Sequence, residues 1–154
     1  MSTKYTVSAA AHIDAPPDRV YGIIADYHTG HPSILPKPFK NFVVEQGGVG
    51  AGTIIRFEVH AYGTVTKFRA TVTEPEPGRV LVETNVEPDG SRTTFTVAPR
   101  ANGGSDVSFV TEAESRDGIA GAIERWMSTR FMKKLYTEEL QLLAQRATRA
   151  NSTS

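Results

Sequence analysis

Tyr27, His28 and His31 stand within one short segment, and Trp126 and Arg130 sit four residues apart much further along the chain. These are the side chains whose types suit chemistry in an apolar setting. Two imidazoles at i, i+3 make half of a metal site. A zinc-like ion needs a third and a fourth ligand, and no Asp, Glu or His cluster elsewhere supplies them. No metal is therefore expected. Tyr27 and His31 remain as groups that could hydrogen-bond a ligand at a pocket mouth, against the plainer reading of surface loop residues. Trp126, the only tryptophan, either stacks on a flat guest or anchors a core. Arg130 projects within about 40° of both Ile123 and Trp126 on a helix of 100° per residue. It either aims a cation at a carboxylate or carbonyl, or lays its stem over apolar surface with its head in water.

Other arrangements carry less. No Gly-x-Ser-x-Gly elbow presents a serine for attack. The run Gly47-Gly48-Val49-Gly50-Ala51-Gly52 lacks the Lys-Ser/Thr of a phosphate loop and precedes a strand pattern. It reads as a turn at a cleft edge whose glycines let it move as a gate. Glu112 and Glu114 alternate to one strand face, away from Val107, Phe109 and Thr111, and read as solvated. His60 lies on the polar face of its strand. The absence of cysteine removes disulfides, thiolate metal sites and cysteine nucleophiles. No cofactor is expected.

These groups need elements to position them. At 154 residues the chain suits a single domain, expected over residues 1–150, with 151–154 as a small polar frayed tail. An apolar fraction of 39% and a charged fraction of 22% are ordinary for a globular core. Seventeen basic residues balance seventeen acidic ones, and no basic run appears, which argues against nucleic acid as a partner. Met1–Thr6 lacks a signal-peptide pattern, and no apolar stretch approaches the ~18 residues of a membrane span. The expectation is a soluble, cytoplasmic monomer or homodimer.

Tyr5 to Asp14 alternates weakly and predicts a first strand. Pro16 and Pro17 open a helix carrying Val20, Ile23, Ile24 and Tyr27, which stops before Gly30 and Pro32. Residues 33–40 read as loop or one short helical turn. Period-two segments follow. Phe42–Gln46 is one, and Thr53, Ile55, Phe57, Val59 and Ala61 form the apolar face of the next. Phe68, Ala70 and Val72 share a face, Val80, Val82, Thr84 and Val86 another, then Thr93, Phe95 and Val97, and last Val107, Phe109, Thr111 and Ala113. Asp89-Gly90 is a hairpin signal. With no helix between them, these strands predict an antiparallel meander. Gly118 to Arg149 lacks proline, and its Ile119, Ile123, Trp126, Met127, Phe131, Leu135 and Leu142 recur at steps of three and four, which predicts a long amphipathic helix. The fold class is thus α+β, a curved antiparallel sheet gripping a C-terminal helix. A twisted sheet cannot bring every inward side chain against one helix. The remaining cleft suits a small apolar ligand, walled by Phe57, Val59, Phe68, Phe95, Phe109 and Trp126.

The segment Ala11-His12-Ile13-Asp14-Ala15-Pro16-Pro17-Asp18-Arg19-Val20-Tyr21, followed by Ala25-Asp26-Tyr27, resembles the opening of the START-like (SRPBCC) superfamily. The Gly50-Ala51-Gly52-Thr53 and Glu74-Pro75-Glu76-Pro77-Gly78-Arg79 junctions and the terminal helix agree with it. The resemblance spans nearly the whole chain and is nearest to the polyketide cyclase/dehydrase and lipid transport branch. It implies a helix-grip fold: a seven-stranded sheet whose first strand pairs with its last, and two short helices after the first strand. It also implies binding of a hydrophobic or polycyclic small molecule for storage, transport or sensing. The rival is a cyclase, aromatase or dehydratase using Arg130, Tyr27 and His31. A protein-interaction module is a third reading, and it predicts an exposed apolar patch without a cavity.

Overall fold

The computed structural model describes residues 2–149; the tail assigned to 151–154 lies outside the described residues. Strand β1 (Ser2–Ile13) leads into helix α1 (Pro17–Ala25) and the single turn α2 (Gly30–Ser33). Six strands follow as β2 (Phe39–Gln46), β3 (Ile54–Ala61), β4 (Thr64–Glu76), β5 (Val80–Glu87), β6 (Arg92–Pro99) and β7 (Ser105–Arg116), and helix α3 (Gly118–Arg149) closes the chain. The seven strands form one sheet in the order β1-β7-β6-β5-β4-β3-β2. Every pairing is antiparallel. This is the helix-grip arrangement, with the first strand on the last. Consecutive strands joined by short turns dictate the meander, and only β1 needs a distant partner.

Prolines set the first corner. Pro16 caps α1, Pro17 occupies its first turn, and the Pro16 carbonyl accepts from the Arg19 and Val20 amides. The missing proline N–H costs nothing there, since the first-turn amides have no intrahelical partner. Val20, Ile24 and Tyr27 are fully buried and join Leu140, Leu143 and Ala147 of α3 and Val97, Val107 and Phe109 of the sheet in one core cluster. That cluster plugs one end of the grip.

The glycine run 47–52 does not edge the cleft. Its backbone is tied to the end of α1 and the residues just after it. Tyr27 N–H donates to the Gly48 carbonyl at 2.7 Å, and Gly50 N–H donates to the Ala25 carbonyl at 2.9 Å. The Glu74 carboxylate accepts from the Ala51 amide at 2.8 Å and from the Tyr21 hydroxyl at 2.6 Å. Gly48, at φ 139°, lies where a side chain would collide with the His28 ring. The glycines allow close packing here, and hydrogen bonds on both sides hold the loop in place, so the expected gate is corrected to a clasp.

Strand parity matches the alternation on β3, β4, β6 and β7, and is reversed on β5. There Leu81 and Glu83, not Val82 and Thr84, face the helix: Leu81 stands opposite Phe95 and Glu83 opposite Thr93. Residues directly opposed in an antiparallel pair share a face, so β6 fixes the side that β5 presents.

Candidate ligand cleft

Between the sheet and α3 lies a cleft of about 710 Å³, a size suited to one small-molecule guest. Its outer part is lined by exposed residues, among them Tyr62, Thr64, Asp89 and Glu124, and its inner end by the buried His31, Glu83 and Glu139. Aromatic rings make much of the wall. Phe57 of β3 and Phe68 of β4 are cross-strand partners, stacked with centroids 5.1 Å apart. Tyr62, at the turn between those strands, meets Phe131 of α3 at 5.5 Å and bounds the mouth.

The inner end is polar, and each member has an element that places it. Asp26, just past α1, accepts on its side chain from the amides of His28, Thr29 and Gly30 and from the Thr29 hydroxyl. The Thr29 hydroxyl foremost, with those amides, holds the Asp26 carboxyl below the ordinary range. This turn starts α2 and swings His31 inward, where it is 3% exposed. His31 Nδ1–H donates to the Ile24 carbonyl at 2.7 Å, because a carbonyl can only accept. In the neutral ring that leaves Nε2 with a free lone pair. Nε2 lies 3.6 Å from Glu83 and 3.9 Å from Glu139. The His31 ring stacks on Tyr27 at 4.5 Å and meets Phe95 edge-on at 5.6 Å.

Glu83 accepts from the Tyr27 hydroxyl at 2.6 Å. Burial first, and the Glu83 charge second, push the Tyr27 phenol well up, so it stays a donor. Glu139 differs. It is 2% exposed, lines the cleft, and has no hydrogen-bond partner among the described residues. Burial, with the nearby Glu83, pushes its carboxyl well above the usual range, since an unpaired charge is disfavoured there. Thr93 and Thr111 share a hydrogen bond of 2.7 Å, and Thr111 joins the Tyr136 hydroxyl. Burial pushes Tyr136 up to about 12. Asn85 donates to Ser91 at 3.0 Å, while its own buried side-chain oxygen has no partner. Among the described residues, no three His, Asp or Glu side chains are disposed to hold a metal ion.

Of the residues singled out from sequence, His31, Phe57, Val59, Phe68 and Phe95 line the cleft; Tyr27, Phe109, Trp126 and Arg130 do not. Tyr27 lies one layer behind, as the prop under His31 and the donor to Glu83. Phe109 is fully buried between Phe95 and Tyr136. Trp126 and Arg130 are corrections. Trp126 is 62% exposed, and the Arg130 guanidinium lies over its ring at 5.1 Å. Each stands nine residues before a cleft residue, Leu135 and Glu139 respectively, which is about half a turn around a helix. Ile119, Ile123, Trp126 and Arg130 therefore occupy the face opposite the cleft. We expect Trp126 to emit as a wet indole, to be quenched readily by iodide, and to ignore a guest in the cleft. Protection from iodide on ligand binding would contradict its placement.

Sequence reasoning missed Glu83, Asn85, Tyr136 and Glu139. Glu139 carried a signal, being a carboxylate four residues after Leu135 and three before Leu142 on the apolar stripe. Glu83 would have followed from the register set by the Asp89-Gly90 turn.

Residues 4–148 match the family described as polyketide cyclase / dehydrase and lipid transport. The chain belongs to that family. No curated protein matches it. Among solved structures it is similar to KanY, at TM-score 0.84 and 25% identity over 95% of this chain and 99% of that one. TTHA0849 from Thermus thermophilus superposes at 0.80 with 24% identity, over 97% and 100% of the two chains. The Zhui aromatase/cyclase from Streptomyces sp. R1128 superposes at 0.80 with 17% identity, over 96% and 95%. The last two likenesses concern the fold alone. No helix among the described residues is long and apolar enough to cross a membrane.

Proposed function

We propose that this member of the polyketide cyclase / dehydrase and lipid transport family binds one hydrophobic or polycyclic small molecule in the cleft between its sheet and α3. The observation that carries the reading is the 710 Å³ of space behind a wall of Phe57, Phe68, Phe95 and Phe131. Apolar burial supplies affinity at about 25 cal/mol per Å² of apolar surface removed from water, and the polar inner end orients the guest. The interaction-module alternative expects a solid interior, and the cleft weighs against it.

The test is a titration with neutral polycyclic fluorophores of graded ring number, read by probe emission and by native mass spectrometry. We expect one guest per chain. Thr66→Trp should abolish binding, since Thr66 lines the cleft and an indole there occupies the space, while circular dichroism stays unchanged. Silence across the whole ring series would refute the reading.

One observation favours the enzymatic alternative, a cyclase or dehydratase on a poly-β-keto chain. An imidazole Nε2 and a carboxyl disfavoured as an anion face the same interior, 3.9 Å apart. The first could take a proton from an activated carbon and the second donate one to a departing hydroxyl. Turnover of a poly-β-keto thioester with loss of water above the uncatalysed rate, abolished in His31→Ala, is the result this alternative requires.

A further inference from the structure

The charge of the cleft is one-sided. Its lining includes Glu83, Asp89, Glu124 and Glu139, and contains neither lysine nor arginine. Arg130, the cation that the helical spacing suggested, faces away over Trp126. At the inner end the unused hydrogen-bonding capacity is mostly that of acceptors. His31 Nδ1 is committed to the Ile24 carbonyl, which makes Nε2 an acceptor in the neutral ring; no described residue hydrogen-bonds to Glu139, and the Asn85 side-chain oxygen is orphaned. Glu83 satisfies only the Tyr27 hydroxyl. A buried acceptor without a donor is unfavourable, and a guest that supplies donors removes the penalty. An alkylammonium supplies three donors and one positive charge.

We propose that the guest is a hydrophobic amine, whose ring system lies along the phenylalanine wall and whose ammonium seats against Glu139, Glu83 and His31 Nε2. A carboxylate of the same shape meets the Glu83 charge there and brings no donor for the orphaned acceptors, and it is disfavoured. Burial keeps the Glu139 carboxyl protonated when no guest is bound, and an ammonium seated beside it favours the carboxylate instead. Polar recognition of this kind sets orientation and selectivity, with affinity still drawn from the rings.

The inference rests on the cleft being a binding site, and its test separates the two claims. Anthracene carrying an aminomethyl, a hydroxymethyl or a carboxylate group at the same ring carbon gives three guests of one shape and three charges. The full chain is titrated with each by fluorescence at neutral pH. We expect the amine to bind about 10- to 100-fold more tightly than the alcohol, the range of a charge-assisted hydrogen bond, and the carboxylate more weakly than either. Glu139→Gln and Glu83→Gln, each close in shape to the native residue, should both shrink the amine-to-alcohol ratio. An amine no tighter than the alcohol, a carboxylate that matches the amine, or a ratio unmoved in both variants overturns the inference while leaving the cleft as a binding site. If none of the three binds, both claims fall.

Discussion

Glu139→Gln is expected to stabilise the folded chain at about pH 8 and to leave it unchanged at about pH 3, the window set by ordinary glutamate ionisation. In the unfolded chain Glu139 ionises around its ordinary value of 4.5; in the folded chain burial and Glu83 hold the proton to higher pH. Between those two limits the folded state binds more protons than the unfolded state. Stability therefore falls as pH rises through that interval. Below it both states are protonated, and the side chain contributes no pH dependence. Glutamine cannot ionise, so it removes the fall. The gain at the alkaline end should be about 1–3 kcal/mol, the usual cost of a buried polar group left unpaired. Urea midpoints for both proteins at both pH values measure it. Parallel pH profiles would show that Glu139 ionises in water-like surroundings.

Phe109→Ala should produce the larger loss, about 3–5 kcal/mol, because a fully buried ring leaves a void that its neighbours fill only in part. Phe109 packs edge-to-face on Phe95 at 4.7 Å and on Tyr136 at 6.1 Å. It holds the inner wall from behind and touches no guest. Phe68→Ala is the contrast. Phe68 is only partly buried and faces the open cleft, so its removal should cost less stability and more affinity. Chemical denaturation and guest titration on the two variants separate supporting residues from contacting ones. Equal stability losses would place Phe68 in the packed core.

The contrast also marks how much was legible in the sequence. Alternation on β3, β4, β6 and β7 placed Phe57, Phe68, Phe95 and Phe109 on the inner face, because one parity was apolar and the other charged or polar. β5 defeats that rule. Val80, Val82 and Val86 make its outward parity the more apolar one, while Leu81 shares its inward parity with Glu83 and Asn85. Counting hydrophobic residues then selects the wrong side, and only pairing with β6 restores it. Helix α3 misleads in a related way. Stepping by three and four from Ile119 follows an apolar stripe that faces solvent at its start, and the cleft side of the helix carries Glu124, Ser128 and Phe131 instead. Pattern finds an element and its period; which face is buried depends on neighbours that sequence periodicity does not name. Glu83 was hidden for this reason, since it resembles a solvated residue until both faces are known, whereas Glu139 showed itself only by its place between Leu135 and Leu142.

The pairing of Ser2 with Arg116 at one end of β1 and of Ile13 with Ser105 at the other has a consequence for how the protein is made. Translation delivers β1 long before its neighbour β7, so that strand emerges with bare edges while the seven elements from α1 to β6 follow. Closure of so long a loop is slow. During that interval the unpaired strand is the part of the nascent chain most open to pairing with another copy.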